Sequence, residues 1–181
     1  METTIPVHRI VQNGYVVRDL DSAIFRWNRI VGIGPFFVNN KADHPAFECR
    51  GAKSSASLRS ALSQAGDVQI ELIQPMDSAP SIFRETLDSV GEGLHHVKIE
   101  TGGYDAQYAR FIRNGFSPAM QGEITGLVRF SFFDTCAELG HFTEISETFG
   151  SASERDVLIT EICRKWDGVG LVRDVAKLTD V

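Results

Sequence analysis

Two hydrophobic periods alternate along this chain. From Ile10 to Val17 side chains change face at every residue, with Val11, Tyr15 and Val17 on one side and Gln12 on the other, the two-residue period of a strand. Leu20, Ala23, Ile24, Trp27 and Ile30 then recur at helical spacing, and Asp19 or Asp21 is available as the cap. Gly32-Ile-Gly-Pro35 ends that helix, since two glycines and a proline make its continuation costly. Strands are expected next at Phe36–Asn39, Ala46–Cys49, Ala56–Leu62 and Val68–Gln74.

After Pro75 a linker with a short helix, Ser81 to Val90, is closed by Gly91-Glu-Gly93. Then the order of elements repeats. Leu94–Glu100 reads as a strand, and Tyr104, Tyr108, Phe111 and Ile112 form a helical stripe that stops at Asn114-Gly115. Strands follow at Ala119–Glu123, Gly126–Asp134 and His141–Ser146. From Ser151, which with Glu154 reads as a capping box, Val157, Leu158, Ile162, Cys163 and Trp166 predict an amphipathic helix, with a second short helix after Gly170. This extension could cover a sheet edge, close a pocket or meet a partner subunit.

The central strands place polar residues in register. Glu71 and Gln69 oppose Val68, Ile70 and Leu72; His96, Lys98 and Glu100 oppose His95, Val97 and Ile99; Glu144, Phe142 and Ser146 oppose Thr143 and Ile145. By period alone this is an α+β protein whose sheet has helices on one face and water on the other.

Composition narrows the class without selecting a function. At 181 residues the chain holds one generous domain or two small fused modules. With 43% hydrophobic and 23% charged residues it has an ordinary globular composition. Net charge -6 argues against a dedicated nucleic-acid binder or a polybasic membrane anchor. Cys49, Cys136 and Cys163 are far apart, which speaks against a zinc ribbon, a redox pair or a disulfide framework. The opening Met1-Glu-Thr-Thr has no secretory character, and no apolar run approaches the ~20 residues that span a bilayer, so a cytoplasmic location is expected. Gly32-x-Gly34 runs into Pro-Phe-Phe and is a helix stop, not a dinucleotide fingerprint; common nucleotide and hydrolase signatures are missing.

Several stretches carry a resemblance. Gln12-Asn-Gly-Tyr-Val-Val-Arg-Asp-Leu-Asp-Ser-Ala-Ile with Gly32-Ile-Gly-Pro-Phe36 resembles the opening strand and helix of the glyoxalase/bleomycin-resistance/dihydroxybiphenyl dioxygenase (vicinal oxygen chelate) superfamily. Ile70-Glu-Leu-Ile-Gln-Pro75 is similar to its fourth strand, Gly93-Leu-His-His-Val97 to the start of its second module, and Phe133-Asp-Thr with Gly140-His-Phe-Thr-Glu-Ile145 to its close. The resemblance implies a glyoxalase fold over residues 8–147, two paired βαβββ modules (8–75 and 93–147) with curved mixed sheets around a cleft. Residues 151–181 stay outside it as a C-terminal helical extension.

The same resemblance implies a divalent metal, Zn, Ni, Co, Mn or Fe, held by Gln12, Glu71, His96 and Glu144, with Glu144 also the catalytic base. The interval from Gln12 to Glu71 exceeds that from His96 to Glu144, which fits a longer strand-2 to strand-3 region in the first module. The implied function is a lyase or isomerase that enolises a chelated carbonyl or thioester substrate, nearest the lactoylglutathione lyase and methylmalonyl-CoA epimerase group. Those epimerases place a second acid on the third strand, where Ser57-Leu-Arg-Ser-Ala-Leu62 offers none. The alternatives are a bleomycin-resistance-type binding protein and an extradiol-type dioxygenase, whose triad calls for histidine where Gln12 stands. The expected partners are a small-molecule substrate and a second copy in a homodimer. His95 and His141 are expected off the metal face by parity, His8 would be a ligand only in a slipped register, His44 in its Asp-His-Pro loop is a candidate for touching substrate, and Glu48 and Arg59 are candidates for lining the cleft.

Overall fold

The computed structural model describes residues 9–40, 47–100 and 102–180. His8 and His44 lie outside the described residues. The elements in chain order are β1 (Ile10–Val16), α1 (Leu20–Val31), β2 (Phe36–Asn39), β3 (Phe47–Cys49), β4 (Ala52–Ser54), β5 (Leu58–Ala65), β6 (Val68–Pro75) and α2 (Ile82–Ser89). There follow β7 (Gly93–Ile99), α3 (Tyr104–Arg113), β8 (Pro118–Ile124), β9 (Val128–Phe133), α4 (Cys136–Leu139), β10 (Phe142–Thr148), α5 (Ser151–Arg164), β11 (Val172–Asp174) and a 3₁₀ turn over Val175–Asp180.

One mixed sheet runs β11-β2-β5-β6-β1-β7-β10-β9-β8-β3-β4. Within it the same unit occurs twice. β1 pairs parallel with β6, β6 antiparallel with β5 and β5 with β2; β7 pairs parallel with β10, β10 antiparallel with β9 and β9 with β8. The two first strands, β1 and β7, join the units antiparallel at the centre. This is the α+β glyoxalase fold expected from the sequence.

Local sequence explains the helices. Asp19 caps α1, its side chain accepting from the Ser22 amide at 2.7 Å, and Gly32 closes it in the left-handed region at φ 81°. Ser81 caps α2 by accepting from the Arg84 amide. Leu20, Ala23 and Ile24 of α1 pack on Val38, Ala61, Ile70 and Leu72 of the first unit. Tyr104 and its neighbours on α3 pack on Phe133 and Ile145 of the second.

The opposite face of the sheet is not left to water. α2 lays Ile82, Phe83 and Leu87 on it, against Val16, Ile73, Phe132 and Phe142. The β3–β4 hairpin, inserted between β2 and β5, crosses to the far half and pairs with β8, bringing Phe47 and Cys49 into the same cluster. That insertion is the longer strand-2 to strand-3 region inferred from the unequal intervals.

At the C-terminal end one expectation is corrected, and the short helix expected after Gly170 is found as the 3₁₀ turn with a strand before it. Ser151 forms no capping box: α5 begins at Ser151 itself, Gly150 occupies the cap position, and no side chain caps the helix. After Gly170 comes β11 before the 3₁₀ turn; it pairs parallel with β2 and covers that edge of the sheet.

Candidate metal centre

Four strands of the sheet's middle bring Gln12, Glu71, His96 and Glu144 to one place. β1 contributes Gln12, β6 Glu71, β7 His96 and β10 Glu144. His96 Nε2 lies 3.2 Å from Gln12 Oε1, 3.2 Å from Glu144 Oε2 and 3.6 Å from Glu71 Oε2. Ligand atoms of Glu71, His96 and Glu144 all fall within 4.8 Å of one another. Gln12, His96 and Glu144 are buried, at 5%, 0% and 7% exposure, so these positions do not belong to a solvated face. Access is past Glu71 and Lys98, whose side chains keep 20% and 19% of their surface.

The neighbours hold these groups in position. Gln12 Nε2 donates to Gln69 Oε1, which turns the amide oxygen inward. Lys98 Nζ stands 3.9 Å from Glu144 Oε1. Burial works against the Glu144 charge, yet Lys98, His96 and Ser146 together hold its carboxyl below the usual range. Burial pushes Glu71 up to about 7, with His96 opposing and the charge of Glu144 adding to the rise.

The fit to a divalent ion rests on this donor set. Three oxygens surround one imidazole nitrogen that can offer at most one proton. A cation among them satisfies the remaining lone pairs, and O/N donors with two carboxylates suit borderline divalent metals.

His95 departs from its expected placement. The β1–β7 ladder slips between Gly14 and Tyr15: Gly14 pairs with His96 but Tyr15 with Leu94, leaving His95 as an extra residue. A bulge of this kind cancels the alternation, so His95 does not take the face opposite His96. Its ring lies between Phe83 and Phe142, with centroids at 4.5 and 4.9 Å, and its Nδ1 meets His96 Nδ1 at 3.1 Å. Burial, then the charge of His96, hold the His95 imidazole well below the usual histidine range. A neutral His95 can accept the His96 Nδ1 proton and leave Nε2 free for coordination.

The other candidates are elsewhere. His141 Nδ1 contacts the Phe142 carbonyl at 2.8 Å, Arg59 pairs with Asp21 of α1, and Glu48 accepts from Gln121. A separate recess of about 540 Å³ between α3, β8 and β9 is walled by Tyr104, Tyr108, Gln121, Arg129 and Phe130 and includes none of the quartet. Lys98, Gln69 and Gly14 were not singled out from sequence. Each stands two residues from a quartet member on the same strand face, and that spacing was the available signal.

Residues 11–132 match the Glyoxalase/Bleomycin resistance protein/Dioxygenase superfamily. The chain belongs to this superfamily. Solved structures share the superfamily's fold with it. Methylmalonyl-CoA epimerase from Mycobacterium tuberculosis is 22% identical at a TM-score of 0.59, over 85% of this chain and 97% of its own. A variant of the Streptomyces coelicolor methylmalonyl-CoA epimerase, in complex with 2-nitronate-propionyl-CoA, is 18% identical at 0.55, over 80% and 100%. A hypothetical protein from Bacillus halodurans C-125 is 14% identical at 0.60, over 80% and 97%. No curated protein matches the chain at a significant level. Among the described residues no helix is long and apolar enough to cross a membrane.

Proposed function

We propose that the protein is a metal-dependent isomerase or lyase that enolises a small carbonyl or thioester substrate. The observation that carries this reading is the convergence of Gln12, Glu71 and Glu144 oxygens on His96 Nε2 in a buried site. Superfamily membership supports it. Gln12, Glu71, His96 and Glu144 would hold the ion, with Zn, Ni, Co, Mn and Fe all compatible with the donors. A divalent ion there supplies Lewis acidity to a chelated carbonyl, acidifying the adjacent carbon.

The chain's residues do the rest. Glu144, kept anionic beside Lys98, takes the proton from that carbon. Gln69 fixes the Gln12 amide and His95 fixes the His96 ring, so the site loses little free energy to reorganisation. Phe132, 5.0 Å from the His96 ring, keeps water from that side. Residues 8–147, in halves 8–75 and 93–147, are the working unit, and 151–181 is an addition to it.

Elemental analysis of freshly purified protein is the first test, with a divalent metal expected and reduced content in Gln12→Ala, His96→Ala and Glu144→Ala. The second is ¹H NMR in D₂O with methylmalonyl-CoA, a ligand of a structurally similar epimerase, as probe. Metal-loaded protein is expected to exchange the probe's α-proton, with Glu144→Ala slower by at least about 100-fold. Protein that purifies without metal and whose melting temperature ignores added divalent ions would overturn the reading, leaving non-catalytic binding of a small molecule.

A further inference from the structure

A lysine stands between two members of the quartet. Lys98 of β7 is the register partner of Gln12 on β1 and of Glu144 on β10. Register partners share a face of the sheet, and neighbouring strands are ~4.8 Å apart. The row Gln69, Gln12, Lys98, Glu144 therefore runs along the quartet's face, with Glu71, Gly14, His96 and Phe142 in the next row. These two rows hold a single ammonium, that of Lys98. Their far sides differ. Beyond His96 the space is filled: the Phe132 and Phe83 rings stand 5.0 and 6.4 Å from its ring, and Phe83 of α2 packs into the cluster of Val16, Ile73 and Phe142. Lys98 and Glu71 instead keep 19% and 20% of their side-chain surface exposed, so a molecule that reaches the quartet passes the ammonium.

The surroundings do not consume the Lys98 charge. Glu144 Oε1 lies 3.9 Å from Lys98 Nζ, beyond hydrogen-bond range, while the other carboxylate oxygen, Oε2, faces His96 Nε2 at 3.2 Å. Among the described residues the ammonium's three protons make no hydrogen bond. Other acids nearby have their own cations. Glu100 accepts from Arg9 at 2.9 Å, and Asp156, an acid that senses Lys98, has Arg155 at 3.7 Å. Glu71 and Glu144 carry two negative charges, which a divalent ion balances. The Lys98 ammonium is then the charge in excess at the entrance.

We propose that Lys98 determines specificity by pairing with a carboxylate of the substrate, and that the substrates are carbon acids bearing an anionic group beside the chelated oxygens. This rests on the enolisation reading above and narrows its substrate class. A neutral carbonyl compound that offers the same two oxygens leaves the ammonium unpaired and forgoes one charge-assisted hydrogen bond. An ammonium is a compact point charge on a flexible stem, unlike the rigid fork of a guanidinium. Lys98 therefore selects for the charge of the group beside the chelating oxygens more than for its outline.

The test uses two hydroxamates that chelate through the same vicinal oxygens, malonic acid monohydroxamate and its carboxamide analogue, which differ in the charge of one terminal group. Isothermal titration calorimetry measures the affinity of each for metal-loaded, full-length protein. Wild-type protein is expected to prefer the carboxylate probe by about 10-fold or more, the equivalent of one charge-assisted hydrogen bond. In Lys98→Gln and Lys98→Met that preference is expected to vanish while affinity for the carboxamide probe stays close to wild type. Metal content is not reduced in either, since both variants remove a positive charge from beside a cation. Lys98→Arg is expected to keep part of the preference. A neutral variant that retains the wild-type preference overturns the assignment, as does wild-type protein that binds both probes equally; the enolisation reading survives either result. Metal-loaded wild-type protein that binds neither probe overturns chelation at the quartet, and the assignment with it.

Discussion

Gly14 holds no reactive group, yet the His96 ring depends on it. It faces the same side as Gln12, and a Cβ built there would sit 1.9 Å from His96 Cε1 and 2.3 Å from Nδ1. The imidazole lies in the space a side chain would fill. Gly14→Ala therefore has to move a ring that is 0% exposed and hemmed by Phe132 and His95. Overpacking of this kind costs about 1–3 kcal/mol, and displacement of a ligand's support lowers metal affinity about 10–100-fold. Calorimetric melting and metal titration of the variant check both numbers. At this scale the strand period put Gln12, Glu71, His96 and Glu144 each on the polar face of its own strand, and it was the resemblance that implied they meet at one metal. The period could not place Gly14, because a missing side chain reads as a weak strand position. Nor could it place His95, because the bulge that turns this ring belongs to the β1–β7 pairing and not to either strand alone.

Among the elements, α5 departs furthest from its sequence reading. Its apolar residues Val157 and Leu158 suggested an amphipathic helix, but Val157 is 59% exposed and Leu158 38%; the buried stripe is centred on Ile159. The helix is anchored on Phe37 and Leu62 of the first half, contacts that no local pattern encodes. Ile159→Ala removes the anchor at an expected cost of about 2–5 kcal/mol, which in a domain of this size lowers the melting temperature on the order of 10 °C. Differential scanning calorimetry with and without added metal tests it, and the deficit should appear in both. The helix starts and stops were legible where a side chain does the capping, as at Asp19 and Ser81. They were less so at Gly150, where the cap is backbone geometry alone.

In the whole molecule, the doubled order of elements made the fold readable, since two matching units must bury the same kind of face. What period could not show is how the units are joined. The β3–β4 hairpin of the first half lies on the edge of the second, and its turn is held by Arg50, whose Nη1 donates to Asp134 at 2.7 Å and Nη2 to Glu85 at 3.0 Å. Burial would raise Asp134, but its hydrogen bonds with Arg50 and Cys136 hold it below the ordinary carboxylate range. A carboxyl lowered on folding stabilises above its unfolded pKa, and that stability is lost as pH falls through the folded value. Arg50→Ala should therefore cost at most about 1 kcal/mol at pH 7, because the pair is partly exposed, and the gap between melting temperatures should narrow below about pH 4. Melts of both proteins at pH 7 and pH 3 read this directly. The hairpin also imposes an order on synthesis. Domains usually fold from the N-terminus as the chain emerges from the ribosome. Here Glu48 and Cys49 have only β4 beside them until Gln121 and Met120 of the inner neighbour β8 have been made, and the cluster of Phe47 and Cys49 is incomplete until Phe132 and Phe142 follow. The first half is thus a creditor of the second: it is finished only when a later stretch of the same chain arrives.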